Sequence, residues 1–198
     1  MAERLGQWLN VKEAIALHTA QAAIAAAGQA ARPVPAAELA ALQQRLQAEL
    51  QRVRSVLAAS ITARDPSHRS DANDLDLEFA LLHQRLNDQQ RRMELSVDAL
   101  RGHVRQQLAR AAPALARLAA LDQQMEQLFG GREQRLLTTL PAHLKARFGA
   151  LRREASASGA PHDLAWLRRF EGEFEQLLLA ELDLRLQPVT GLIDSIDT

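Results

Sequence analysis

The sequence predicts an all-α protein, a bundle of about five to seven helices, several long and antiparallel, with no sheet. Three observations carry this. Alanine, leucine, glutamine, glutamate and arginine dominate the 198 residues, and all are strong helix formers with little side-chain entropy to lose. Apolar residues recur at spacings of three and four over long stretches, the period of a helix that buries one face. No run alternates β-branched or aromatic residues with polar ones, as a half-buried strand does. The organisation expected is an N-terminal helical segment at 1–31, a long helical hairpin at 32–112 and a C-terminal helical region at 113–198, together one continuous bundle.

Taken in order, the first segment reads as a short helix through Leu5, Trp8 and Leu9, a turn, and a helix from about Val11 to Ala27. Asn10 followed three residues later by Glu13 has the reciprocal capping pattern, although a strict capping box begins with Ser or Thr. Arg32-Pro33-Val34-Pro35 ends this segment, because proline supplies no donor and constrains its predecessor. The next helix runs from about Pro35 to Ala63 on the stripe Leu39, Leu42, Leu46, Leu50, Val53, Leu57 and Ile61. Asp65 to Asp74, the most polar stretch, reads as a loop.

The longest helix follows, from about Leu75 to Ala111, roughly 55 Å at 1.5 Å per residue. Its stripe is Phe79, Leu82, Leu86, Met93, Val97, Leu100, Val104 and Leu108, interrupted at Gln89 or Gln90. A polar residue at a seam fixes register between long helices, whereas the alternative is a solvent-exposed stretch. Pro113 restarts a helix carrying Leu115, Leu118, Leu121, Met125 and Leu128, with Gly130-Gly131 set to cap or loosen it. Leu136, Leu137 and Leu140 lead to a kink or a new first turn at Pro141. Leu144, Phe148 and Leu151 come next, then a small, polar linker at Ala155 to Pro161. The last long helix runs from about Pro161 to Gln187 with Trp166, Leu167, Phe170, Phe174, Leu177, Leu178, Leu182 and Leu186 inside. Pro188 breaks it, leaving an apolar tail at Val189, Leu192, Ile193 and Ile196.

Charge balances at 24 basic and 24 acidic residues, so no global field points to nucleic acid or an anionic membrane. Only Lys12 and Lys145 are lysines, a bias that suits phosphate or carboxylate binding but follows more simply from a GC-rich genome. The distribution is uneven. From His162 onward eight acidic residues face three arginines, while 1–64 and 113–160 each carry seven basic and four acidic residues. The simplest consequence is an acidic final helix lying against basic neighbours; the sharper one is an acidic docking face for a basic partner.

Cysteine is absent, which removes disulfides, thiolate nucleophiles and cysteine metal sites. Tyrosine is absent too, so few large rings remain to line a pocket or stack bases. The alanine-rich stretch Ala14 to Ala27 is interrupted by His18, Thr19 and Gln21 and reads as neither signal peptide nor membrane span, which makes the cytoplasm the expected location. Glu-x-x-His pairs, a His-Glu-x-x-His motif, a phosphate-cradling glycine loop and a Gly-x-Ser-x-Gly elbow are all missing. Asp65, His68, Asp71 and Asp74 crowd one loop, but it fails the calcium pattern at Leu75 and Leu82. Glu171, Glu173, Glu175, Glu181 and Asp183 are spread around their helix as a solvated face. Arg91-Arg92, Arg152-Arg153 and Arg168-Arg169 make no stripe. No catalytic residue, metal ligand or cofactor is assigned.

Ala2-Glu3-Arg4-Leu5-Gly6-Gln7-Trp8-Leu9 leading into Glu13-Ala14-Ile15-Ala16-Leu17 resembles the start of an uncharacterised proteobacterial family, domain of unknown function 3348. Pro113 to Asp122 and Arg132 to Leu137 are similar to its middle, and Leu179 to Val189 resembles its closing signature. The similarity spans nearly the whole chain, least in 65–74. The family usually has further residues before the Ala-Glu-Arg-Leu segment and a second tryptophan near Val11, so an N-terminal element is expected to be missing or dispensable. The resemblance implies no activity. It implies a gene setting beside membrane proteins with OmpA/MotB-like and proton-channel-like domains, and hence a cytoplasmic accessory of an envelope assembly.

Periodicity and resemblance together lead to a non-enzymatic helical interaction or scaffold protein with a protein partner or a homo-oligomer, no nucleic acid and no direct membrane insertion. The candidate contact residues are Trp8, Leu9, Leu178, Leu182, Leu184 and Leu186. Leu182, Leu184 and Leu186 alternate and cannot all face one way, so either something beyond the local bundle covers part of that helix or the helix is buried on both sides within one domain. The rivals are an enzyme whose site forms only with a partner, marked by convergent carboxylates beside an arginine in a pocket, and a nucleic-acid-associated factor, marked by salt-dependent retention on heparin.

Overall fold

The structure is a computed structural model that describes residues 24, 26, 35–64, 74–137, 139–157 and 164–197. Among the described residues there are five α-helices, one terminal 3-10 turn and no strand. Trp8, Leu9, the helices expected before Ala27 (Ile24 and Ala26 apart) and the polar loop ahead of Asp74 lie outside them.

Helix α1, Ala36–Thr62, starts where Pro35 allows. The Pro35 carbonyl accepts from the Glu38 and Leu39 amides, and Glu38 places a carboxylate in the first turn, where the helix dipole favours negative charge. Its far end is closed from outside: the Arg85 guanidinium donates to the Ile61 and Ala63 carbonyls, satisfying acceptors that a helix terminus leaves open. Helix α2, Leu75–Ala111, is capped by Asp74, whose carboxylate accepts from the Leu77 amide at 3.1 Å. Asp76 and Glu78 at its start and Arg110 at its end suit the dipole as well.

Helix α3, Pro113–Leu137, has proline at its first position, where the missing amide costs nothing, and runs through Gly130-Gly131 without a break. Helix α4, Leu140–Ala157, follows a turn at Thr139 and takes Pro141 into its first turn. It also absorbs Ala155, Ser156 and Ala157, where a linker was expected; none of the three breaks a helix, and the first glycine comes only at 159.

Helix α5, Ala165–Asp194, departs most from expectation, because Pro188 lies inside it and does not end it. Proline removes the amide that would bond the Leu184 carbonyl, at a cost of about 3 kcal/mol. Against this, Val189, Leu192, Ile193 and Ile196 are all buried beyond the proline, each contributing about 1.5–3 kcal/mol. Burial wins, and the expected apolar tail is the last turns of the helix together with the 3-10 turn Ser195–Asp197 that holds Ile196.

Contacts group the chain into two compact units. One comprises Met1–Leu50, Ala99–Gln134 and Pro188–Thr198. Its core is Leu42, Leu46 and Leu50 of α1, Leu100, Val104 and Leu108 of α2, Leu115, Ala116 and Ala119 of α3, and the buried end of α5. The small residues of α3 let its backbone approach closely. The other unit comprises Gln51–Asp98 and Arg135–Gln187. It buries Leu57 and Ile61 of α1, Leu82, Leu86, Met93 and Val97 of α2, Phe148 and Leu151 of α4, and Trp166, Leu167, Phe170, Phe174, Leu178, Leu182 and Leu186 of α5. Phe148 is its hub, meeting Trp166 and Phe170 edge-on at 5.1 and 5.2 Å and Phe79 tilted at 5.1 Å. Each such pair adds about 0.5–1.5 kcal/mol beyond area burial.

Candidate interaction surface

Polar groups in the second unit pair with one another. Gln89 and Gln90 are both half-buried and both bonded, which makes them a polar seam and not a solvent-exposed stretch. The Ser60 hydroxyl donates to Gln89 Oε1 at 3.0 Å, Gln89 Nε2 donates to the Ser60 carbonyl at 3.1 Å, and Arg92 donates to the Ser60 hydroxyl at 2.6 Å. Gln90 Nε2 donates to Glu181 at 3.0 Å, and Arg185, one turn further along α5, donates to the same carboxylate at 2.8 Å. The Glu181 side chain is 3% exposed, so these bonds replace the water it has lost. Two adjacent amides of α2, one bonded to each neighbour, thus set the register of α1 and α5 on α2.

Four carboxylates of α5, those of Glu173, Glu175, Glu181 and Asp183, meet arginines of the same chain, and Glu175 and Glu181 are too buried to belong to the solvated face expected. Glu173 holds Arg147 by two bonds of 2.7 Å, and Arg169 adds a third. Asp183 pairs with Arg54 at 2.8 Å. Glu175 lies 3.6 Å from Arg64 and 3.9 Å from Arg85, whose guanidinium stands 5.7 Å over the Phe174 ring. The acidic helix lies against basic neighbours within its own bundle, the simpler of the two consequences of uneven charge. The Arg147 hydrogen bonds lead among the influences that hold the Glu173 carboxyl below its usual range.

A shallow recess between α2, α4 and α5 is lined by Phe79, Leu82, His83, Leu144, Phe170 and Phe174. It measures about 190 Å³ even counting space open to solvent, against about 300–1,000 Å³ for typical ligand pockets. Among the described residues no group of three His, Asp or Glu side chains is placed to hold a metal, and no helix is long and apolar enough to cross a membrane.

Helix α3 presents the least expected arrangement. Its Asp122 and Glu126 point at α2, where Arg101 and Arg105 receive them. Arg101 donates to Asp122 at 2.6 and 2.9 Å, Arg105 donates to Asp122 at 2.6 Å and to Glu126 at 2.7 Å, and Arg101 reaches Glu126 at 3.3 Å. Arg101 is 14% exposed and Asp122 12%. Meanwhile Leu121 and Met125, each one position ahead of an inward acid, are 43% and 45% exposed, flanked by half-buried Leu118 and Leu128. At this point of the helix a carboxylate is turned inward while two apolar side chains stand open to solvent. Leu118, Leu121, Met125 and Leu128, at spacings of three, four and three, form one ridge, the repeat with which one helix packs against another.

The apolar residues Leu115 to Leu128 do not share one face: at about 100° per residue Leu115 lies roughly 80–140° from Met125, Leu121 and Leu128. Leu115 is buried and the others form the ridge. Asp122 and Glu126 fall on the Leu115 side, so their spacing of four, matched by Arg101 and Arg105, was the available signal.

Of the sequence-predicted contact residues, Leu178, Leu182 and Leu186 are buried in the second unit, whereas Leu184 is 46% exposed. Leu182 and Leu186 share a face, and Leu184 points about 200° away from Leu182. Val56, Leu77, Leu81 and Leu95 are further exposed apolar side chains of that unit.

No curated protein and no solved structure matches the chain. The model of one family matches it from end to end, residues 1–198, and the chain therefore belongs to the family described as Protein of unknown function (DUF3348).

Proposed function

We propose that this protein is a non-enzymatic helical interaction protein that engages another polypeptide through the α3 ridge. The observation that carries the reading is on α3, where Asp122 and Glu126 pair with arginines of α2 beside the buried Leu115, Ala116 and Ala119 while Leu121 and Met125 stand open to solvent. Apolar side chains left open at helix-packing spacing supply the seam with which another helix can pack. The ridge supplies the apolar centre of an interface, where the energetically dominant contacts concentrate. Leu184, open on α5, and Trp8 and Leu9 of the N-terminal segment are further contact positions in this proposal, with Leu178, Leu182 and Leu186 supporting the helix from beneath. The gene setting implied by the family resemblance extends the proposal: the partner belongs to an envelope assembly with OmpA/MotB-like and proton-channel-like components, and this protein acts on its cytoplasmic side. Cross-linking pull-down from the native host tests it. Recovery of a component of that assembly is the expected result; recovery mainly of ribonucleoprotein, or of no envelope protein, overturns the setting.

A further inference from the structure

We draw no further inference here: the strongest candidate, the half-exposed ridge of Leu118, Leu121, Met125 and Leu128 on α3, belongs to the surface already described, and nothing in the structure shows what covers it.

Discussion

Replacing Asp122 by alanine removes one member of a four-charge cluster whose other members stay where they are. Asp122 accepts three hydrogen bonds, two from Arg101 and one from Arg105, all between 2.6 and 2.9 Å. With the carboxylate gone, two arginines only 14% and 15% exposed are left with Glu126, itself nearer the surface at 33%. Breaking a buried pair by deleting one partner costs about 3–5 kcal/mol, and the residual exposure here places the loss near the lower end, about 3 kcal/mol. For a chain of this length that is a fall in Tm of about 6–12 °C. Urea unfolding followed by circular dichroism measures it, with an unchanged slope as the check that the same surface unfolds. The same carboxylate predicts an acid limb. Burial, the largest single influence, pushes the Asp122 carboxyl up, but the hydrogen bonds and charges of Arg101 and Arg105 together outweigh it and hold it below its ordinary range. A carboxylate whose folded pKa is depressed contributes stability above its unfolded pKa, about 3.9, and loses it as pH falls through the lower folded value. The gap between wild type and Asp122→Asn should therefore be full at pH 7 and shrink below about pH 4. A penalty for Asp122→Ala under about 0.5 kcal/mol, within the range of an ordinary surface change, refutes the claim that this cluster holds α3 on α2.

Two further substitutions separate packing from display. Leu182→Ala, at a fully buried position, should cost about 2–5 kcal/mol, whereas Leu184→Ala, two residues on, should stay within about 0.5 kcal/mol of wild type; denaturant titration of both checks the facing of α5. Gly102 sits inside α2 with nothing within 4 Å of an added Cβ, so Gly102→Ala should raise stability by about 0.5–1 kcal/mol in the same titration, and a loss would contradict the open space beside it.

Helix boundaries were the most legible feature of the sequence. Pro35 and the polar stretch up to Asp74 bracket α1 and α2, and both helices end within a residue of where spacing and punctuation place them. Proline was misleading at 188 because a local rule worth about 3 kcal/mol met four buried apolar side chains beyond it, a balance that only the packed structure exposes. Gln89 and Gln90 stood out as interruptions of a stripe, yet their role depended on Ser60 and Glu181, 29 and 91 residues away. The α3 ridge was hidden for the same reason. Periodicity within one helix counts leucines as core, whereas the pairing of Asp122 and Glu126 depends on Arg101 and Arg105 of another helix, so a reading of α3 alone misses which apolar side chains stay open.

In the proposed function the ridge serves a partner and not the fold. The doubly substituted Leu121→Glu/Met125→Glu protein, compared with wild type in both unfolding and cross-linking capture from the host, tests it most directly. Stability within about 1 kcal/mol of wild type together with loss of the captured partner is the predicted result, since both side chains already face water. Capture undiminished in a variant that folds normally, or collapse of the fold itself, would contradict it.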